Sequence, residues 1–126
     1  MVFIIDDDRD FAECVAKMIG AFCAAQEDLR NEKVEIFGNA IEAINAMNEG
    51  VPELIFLDIL LDGPDGWTFL NELMSYSDTE KVPVVIMSSL DFSGKNLSSY
   101  GVVATLNKME MTPVDIRELM EKYVKK

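Results

Sequence analysis

Four places in this chain set a chemically capable side chain at the end of an apolar run. Asp6, Asp7 and Asp8 follow Val2-Phe3-Ile4-Ile5, Asp58 ends Glu53-Leu-Ile-Phe-Leu-Asp58, Ser88 and Ser89 end Val84-Val-Ile-Met, and Lys108 ends Val102-Val-Ala-Thr-Leu-Asn. Carboxylates crowded together repel, by about 4 kcal/mol per pair at 4 Å and an effective dielectric of 20, so such a cluster calls for a cation or raised pKa values. Hard oxygen ligands with room for water and a phosphate oxygen suit Mg2+, which one or two carboxylates usually hold. A carboxylate free to attack, a hydroxyl and a lysine complete the needs of phosphoryl transfer: a nucleophile, charge neutralisation and donors that position oxygens. An aspartyl phosphate is the natural intermediate. Taken singly, each residue has an ordinary role: an Asp after a strand caps a helix, Ser forms turns, Lys is solvated. Asp8 and Asp10 are read as helix-capping residues only. It is the coincidence of four loops that argues for a site.

Those loops converge only if the elements between them are ordered in one way. Short apolar runs alternate with stripes of helical period five times, the pattern of a parallel sheet flanked by helices. Right-handed crossovers then bring the carboxyl ends of all strands to one edge, where ligands bind. The first helix is expected to turn Phe11, Val15, Met18, Ile19 and Phe22 inward, with Cys14 and Cys23 on or beside that stripe. Lys33–Phe37 reads as the second strand. Asn39 then caps a helix, with Glu42 three residues on and Ile41, Ile44 and Met47 facing the core. After the third strand and the turn Leu61–Gly66, a helix over 67–76 supplies Leu70, Leu73 and Met74, with Trp67 on its rim. Pro83 opens the fourth strand. The stretch 90–101, rich in Ser, Gly and Asn, predicts a short or mobile fourth helix. Thr112 as N-cap with Pro113 behind it starts the fifth.

One domain over residues 1–126 accounts for this pattern, and a chain of 126 residues can bury a single substantial core. A net charge of -12 opposes phosphate backbones and anionic lipid, so direct nucleic-acid and membrane partners are not expected. The start lacks the basic region of a secretory signal and no apolar run is long enough to span a bilayer, which predicts a cytoplasmic protein. With no histidine, His-ligated zinc and His-based triads are excluded. The two cysteines, about 13 Å apart along one helix, cannot bridge.

The acidic pair after strand one, the lone Asp ending strand three, an Asp-Gly seven residues later, the hydroxyl after strand four and the lysine after strand five occur in order over the whole chain. In this the sequence resembles a response-regulator receiver domain of two-component signalling, of the CheY-like single-domain type. The resemblance implies a flavodoxin-like, doubly wound α/β fold: a five-stranded parallel sheet of order 2-1-3-4-5 flanked by five helices. It implies that Asp58 is the phosphoacceptor, that Asp7, Asp58 and the main-chain carbonyl of Leu60 bind Mg2+, and that Asp6 acts on the metal mainly through water. Ser88 resembles the switch hydroxyl and Lys108 the lysine that pairs with the phosphoryl group, while Asp65 and Gly66 match the turn into the third helix. A histidine kinase or phosphotransfer protein would supply the phosphoryl group. A downstream protein would read the altered surface of helix four, strand five and helix five, and no enzymatic turnover is implied. A stand-alone receiver is expected, the chain ending within its fifth helix.

Several positions depart from the family pattern. Lys108 is followed by Met109 where the family has a proline in a cis peptide, and a non-proline cis bond costs roughly 2.5–4 kcal/mol, so trans is expected. Asp62 replaces a usual proline, with Pro64 slightly later, which predicts a rearranged loop. Thr105 stands where an aromatic switch residue is common. Leu60 and Leu90 occupy positions that tune phosphate loss, and neither can orient an attacking water, which predicts a long-lived phosphorylated state. Two rivals follow: a phosphorylation-independent pseudo-receiver, and a haloacid-dehalogenase-like phosphatase with Asp6 as nucleophile and Asp8 as acid/base. The phosphatase reading leaves Asp58 without a role and finds only Glu110 where a late acidic pair belongs.

Overall fold

The structure, a computed structural model, describes residues 1–61, 65–90 and 97–124. Five strands, β1 (Val2–Ile5), β2 (Val34–Phe37), β3 (Leu54–Asp58), β4 (Val84–Ser88) and β5 (Val102–Asn107), form one sheet of order β2-β1-β3-β4-β5. Every neighbouring pair is parallel. Between and after them lie α1 (Arg9–Ala24), α2 (Ala40–Ala46), α3 (Gly66–Met74) and α4 (Pro113–Tyr123). Strand side chains alternate between two cores, as the two-residue period of a strand requires. Phe3, Ile5, Ile55, Leu57, Val84 and Ile86 meet α2 and α3 on one face. Val2, Ile4, Leu54, Phe56, Val85 and Met87 meet α1 and α4 on the other. Burial on both faces explains why β1, β3 and β4 read as continuous apolar runs.

Local signals set the helix starts. Side chains of Asp8, Asn39, Asp65 and Thr112 each accept a hydrogen bond from the backbone N–H three residues on, satisfying one of the donors a helix leaves open. Asp115 returns the favour to Thr112, closing a capping box behind Pro113. Asp10 lies inside the first turn of α1 and Asp8 alone caps it. At the start of α3 the helix nearly touches the chain leaving β3: a Cβ on Gly66 would stand 2.6 Å from Ile59 Cα.

Four expectations are corrected. Among the described residues there are four α-helices rather than five. In the described part of the stretch 90–101, where the fourth is expected, stands a 3-10 turn, Ser98–Tyr100, closed by Gly101 in the left-handed region at φ 77, in keeping with the poor helix propensity of its Ser and Gly residues. Residues 91–96, and the Asp62–Pro64 loop expected to be rearranged, lie outside the described residues. The inner face of α2 is Ala40 and Ala43, with Ile44 and Met47 half-buried and Ile41 54% exposed. The inner line of α1 is Ala12, Val15, Ile19 and Cys23, with Phe11, Met18 and Phe22 at its margin and Cys14 exposed. On α3, Leu70 and Leu73 are buried as expected, Met74 is half-buried, and Phe69 joins the core. Trp67 sits at the rim edge-on to Tyr100, ring centroids 5.8 Å apart.

Candidate functional site

Every strand carries its last side chain to the same edge, and four of the five ends share one local device. The side-chain oxygen of the strand-end residue accepts the backbone N–H two residues later: Asp6 from Asp8 at 2.9 Å, Asp58 from Leu60 at 3.0 Å, Ser88 from Leu90 at 3.0 Å and Asn107 from Met109 at 2.8 Å. Such Asx and Ser turns fix side-chain direction with a group that is nearly adjacent in sequence. β2, which ends at Phe37, contributes its carbonyl, which accepts from the N–H of Asp6 at 3.0 Å.

The structure brings Asp6, Asp7 and Asp58 together, each offering an oxygen within 4.8 Å of the others. Asp6 and Asp58 are buried and Asp7 is exposed. The Lys108 ammonium reaches in from the far edge strand to lie 2.8 Å from Asp6 Oδ2 and 3.3 Å from Asp58 Oδ2. Its Nζ also stands 4.6 Å from the centre of the Phe11 ring, a cation–π contact. Buried Ser88 lies at the end of β4, beside β3, where Asp58 pairs with Met87. Its Oγ accepts from the Leu90 N–H, and a hydroxyl that accepts one bond can also donate its own proton. Leu60 and Leu90 are 55% and 52% exposed, so the residues flanking Asp58 and Ser88 present apolar surface.

Charge does not balance within the pocket. Burial pushes the Asp6 carboxyl above the usual range even though Lys108 and the Asp8 N–H pull it down, and Asp58 adds to the rise. For Lys108, burial works downward, but the hydrogen bond and charge of Asp6 and the charge of Asp58 outweigh it and hold the ammonium above its ordinary value. Two carboxylates 4.8 Å apart repel by about 3.5 kcal/mol at an effective dielectric of 20. Among the described residues, three carboxylates and the Lys108 ammonium make a pocket of hard oxygen donors, and this donor set fits a small divalent cation such as Mg2+.

Thr105, at the position expected for an aromatic switch, is exposed on β5, and the Lys108–Met109 peptide is trans, as expected. Two residues at the site were missed in the sequence. The helical stripe places Phe11 in the core, yet its ring also faces Lys108. Asn107 carries no mark of the site in the apolar pattern, although Asn at a strand end is a turn signal.

Fold and site together define an α/β protein with an acidic pocket at the carboxyl edge of a parallel sheet, crossed by one lysine. A family model described as the response regulator receiver domain matches residues 2–123, and the chain belongs to that family of two-component signalling domains. It is similar to Response regulator Rre1 of Synechocystis sp., 28% identical over 120 residues that make up 94% of this chain and 47% of that protein. It is also similar to a protein-glutamate methylesterase/protein-glutamine glutaminase of Chromobacterium violaceum, 31% identical over 114 residues, 85% of this chain and 28% of that protein. The chain therefore spans less than half the length of these relatives. A crystal structure of a two component response regulator from Cytophaga hutchinsonii superposes with a TM-score of 0.78 at 25% identity, covering 96% of this chain and 93% of that one. Among the described residues no helix is long and apolar enough to cross a membrane.

Proposed function

We propose that residues 1–126 act as one phosphoacceptor receiver unit, in the cytoplasm, phosphorylated on Asp58 by a histidine kinase or phosphotransfer protein. The observation that carries this reading is the Lys108 ammonium shared between Asp6 and Asp58 at 2.8 and 3.3 Å. A lysine held there presents positive charge where a phosphoryl group on Asp58 would sit. In the transfer, a carboxylate oxygen of Asp58 bonds to phosphorus as the P–N bond of a phosphohistidine breaks, the electron pair staying with the imidazole. Among the described residues, Leu60 donates to one Asp58 oxygen and Lys108 to the other, and a carboxylate oxygen with one such bond keeps a lone pair for the attack. Lys108 then pairs with the phosphoryl oxygens and the Ser88 hydroxyl donates to one of them. Asp6, Asp7, Asp58 and the Leu60 carbonyl would hold Mg2+, which when bound supplies positive charge beside those oxygens. Movement of Ser88 and Lys108 toward the phosphoryl group pulls on the ends of β4 and β5. The surface of β5, α4 and the segment before β5 is in this reading what a downstream protein recognises. The unit accepts and passes on a phosphoryl group rather than turning over a substrate, with no direct nucleic-acid or membrane partner.

Incubation with Mg2+ and a small phosphodonor, followed by mass-spectrometric mapping, tests the proposal. Label on Asp58, abolished in Asp58→Asn, is expected. Turnover through Asp6 would support the phosphatase reading, which the full burial of the Asp6 side chain under Lys108 disfavours. No label under any donor would support the pseudo-receiver reading.

A further inference from the structure

β5 is an edge strand, separated from β1 by β4 and β3. Three strand spacings amount to roughly 14 Å, and yet Lys108, the first residue beyond β5, places its ammonium 2.8 Å from the side chain that follows β1. Most of that span is the reach of the Lys108 side chain across the sheet end, and the main chain turns directly after β5, at residues 108–110. At the crest of the turn Met109 is 83% exposed and Glu110 is exposed, and the first side chain past it to pack on the core is that of Met111. The Lys108–Met109 peptide is trans, and neither residue restricts φ as proline would. What holds the turn is Asn107. Its Oδ1 accepts the Met109 N–H at 2.8 Å, and its carbonyl accepts the N–H groups of Glu110 and Met111 at 3.0 and 2.9 Å. The Lys108 N–H is bound to the Ser88 carbonyl at 3.0 Å, which fixes the other side of the same peptide.

We propose that Asn107 is the positioning residue of this site: its side-chain turn aims Lys108 across the sheet end at Asp6 and Asp58. The carbonyl contacts belong to the backbone and survive a side-chain substitution, whereas the Oδ1 contact is lost when the side-chain acceptor is removed, and it is the one that sets the direction in which the chain leaves Lys108. Because the group lies near solvent, water takes its place in Asn107→Ala and the fold persists, while the lysine loses its aim. The consequence for phosphorylation rests on the reading of Asp58 as acceptor; the positioning itself does not.

Two measurements on the whole chain test this and keep the two ideas apart. The first is the NMR shift of the Lys108 methylene protons beside Nζ, which the Phe11 ring current displaces upfield in the wild type, with Phe11→Leu as the reference for its loss. Asn107→Ala is expected to lose at least half of that displacement, Asn107→Asp, which keeps the acceptor, to retain it, and Asn107→Ser to fall between. An undiminished displacement in Asn107→Ala overturns the proposal. The second is the rate of Asp58 phosphorylation by a small phosphodonor with Mg2+. A misaimed charge costs about tenfold or more, so Asn107→Ala should be slowed at least that much and Asn107→Asp little. In a Lys108→Ala background, Asn107→Ala should add nothing, since a residue acting through another loses its effect when that other is gone. Equal slowing in both backgrounds would show a role separate from Lys108 and refute the proposal. If the wild type takes no phosphate at all, the functional reading falls, and the ring-current comparison still decides the positioning.

Discussion

Gly66→Ala sets two ordinary effects against each other, and the structure decides between them. Gly66 is the first residue of α3, where alanine would gain at most about 1 kcal/mol of helix preference. The added Cβ, however, would lie 2.6 Å from Ile59 Cα, 2.8 Å from Ile59 Cδ1 and 3.0 Å from the Ile59 carbonyl oxygen. Two of these are backbone atoms, and the same carbonyl accepts the Gly66 N–H at 3.1 Å. Reaching ordinary contact requires the helix start and the β3 exit to part by about 0.8 Å, in a core packed as densely as a crystal. Overpacking costs about 1–3 kcal/mol, and a backbone-on-backbone clash belongs at the upper end. The net expectation is a loss of about 2 kcal/mol, a fall in Tm of about 5–10 °C for a chain of this length. Urea denaturation with matched m-values measures it. Because Ile59 follows Asp58 directly, phosphorylation should also slow in the molecules that remain folded. A variant as stable as the wild type would refute the close approach and with it the reasoning about how β3 meets α3.

Mg2+ at tenfold over its Kd should stabilise the fold by about 1.4 kcal/mol, read as a rise in Tm over Na+ at equal ionic strength; Asp7→Asn should shrink that rise. The folded state raises the pKa of Asp6 above 3.8, so it favours the protonated carboxyl, and stability from this group falls as pH climbs through the folded value. Asp6→Asn should therefore match the wild type below pH 3.8 and exceed it at neutral pH without metal, as measured by denaturation at both pH values. The folded pKa of Lys108 lies above 10.5, so its stabilising charge is fully present below that pH and lost as pH rises through the folded value. Lys108→Met should lack this alkaline step in a pH titration of Tm. The phosphorylated protein should lose its label slowly, and Leu60→Gln, which can orient a water, should shorten the half-life several-fold in a radiolabel decay assay.

Much of this was legible because it is local. The caps at Asp8, Asn39, Asp65 and Thr112 are set by residues three positions away, and the strand ends by apolar runs that stop. Helix phase was harder to read. Ile41 reads as core because it is large and apolar, but α2 turns Ala40 and Ala43 fully inward, with Ile44 and Met47 beside them, which leaves Ile41 54% exposed. In α1, Phe11 and Met18 belong to a broad apolar face whose centre is fixed by packing against β1, β2 and α4 rather than by the pattern itself. The ion pair of Lys108 with Asp6 joins residues 102 positions apart, and no periodicity reveals which of several carboxylates a flexible side chain will choose. Asn107 was hidden for a related reason: its role shows only once the distance from β5 to β1 is known.

The repeated strand-end turn has a kinetic meaning. Asp6, Asp58, Ser88 and Asn107 are each oriented by an amide two residues away, so their settings form as soon as each strand does, with almost no loop-closure entropy. The Lys108 pairs alone must wait until the last strand has joined the sheet. The salt bridge across the pocket is thus the seal of a completed fold. A chain caught before β5 docks would display its acidic residues already in place but without their counter-charge.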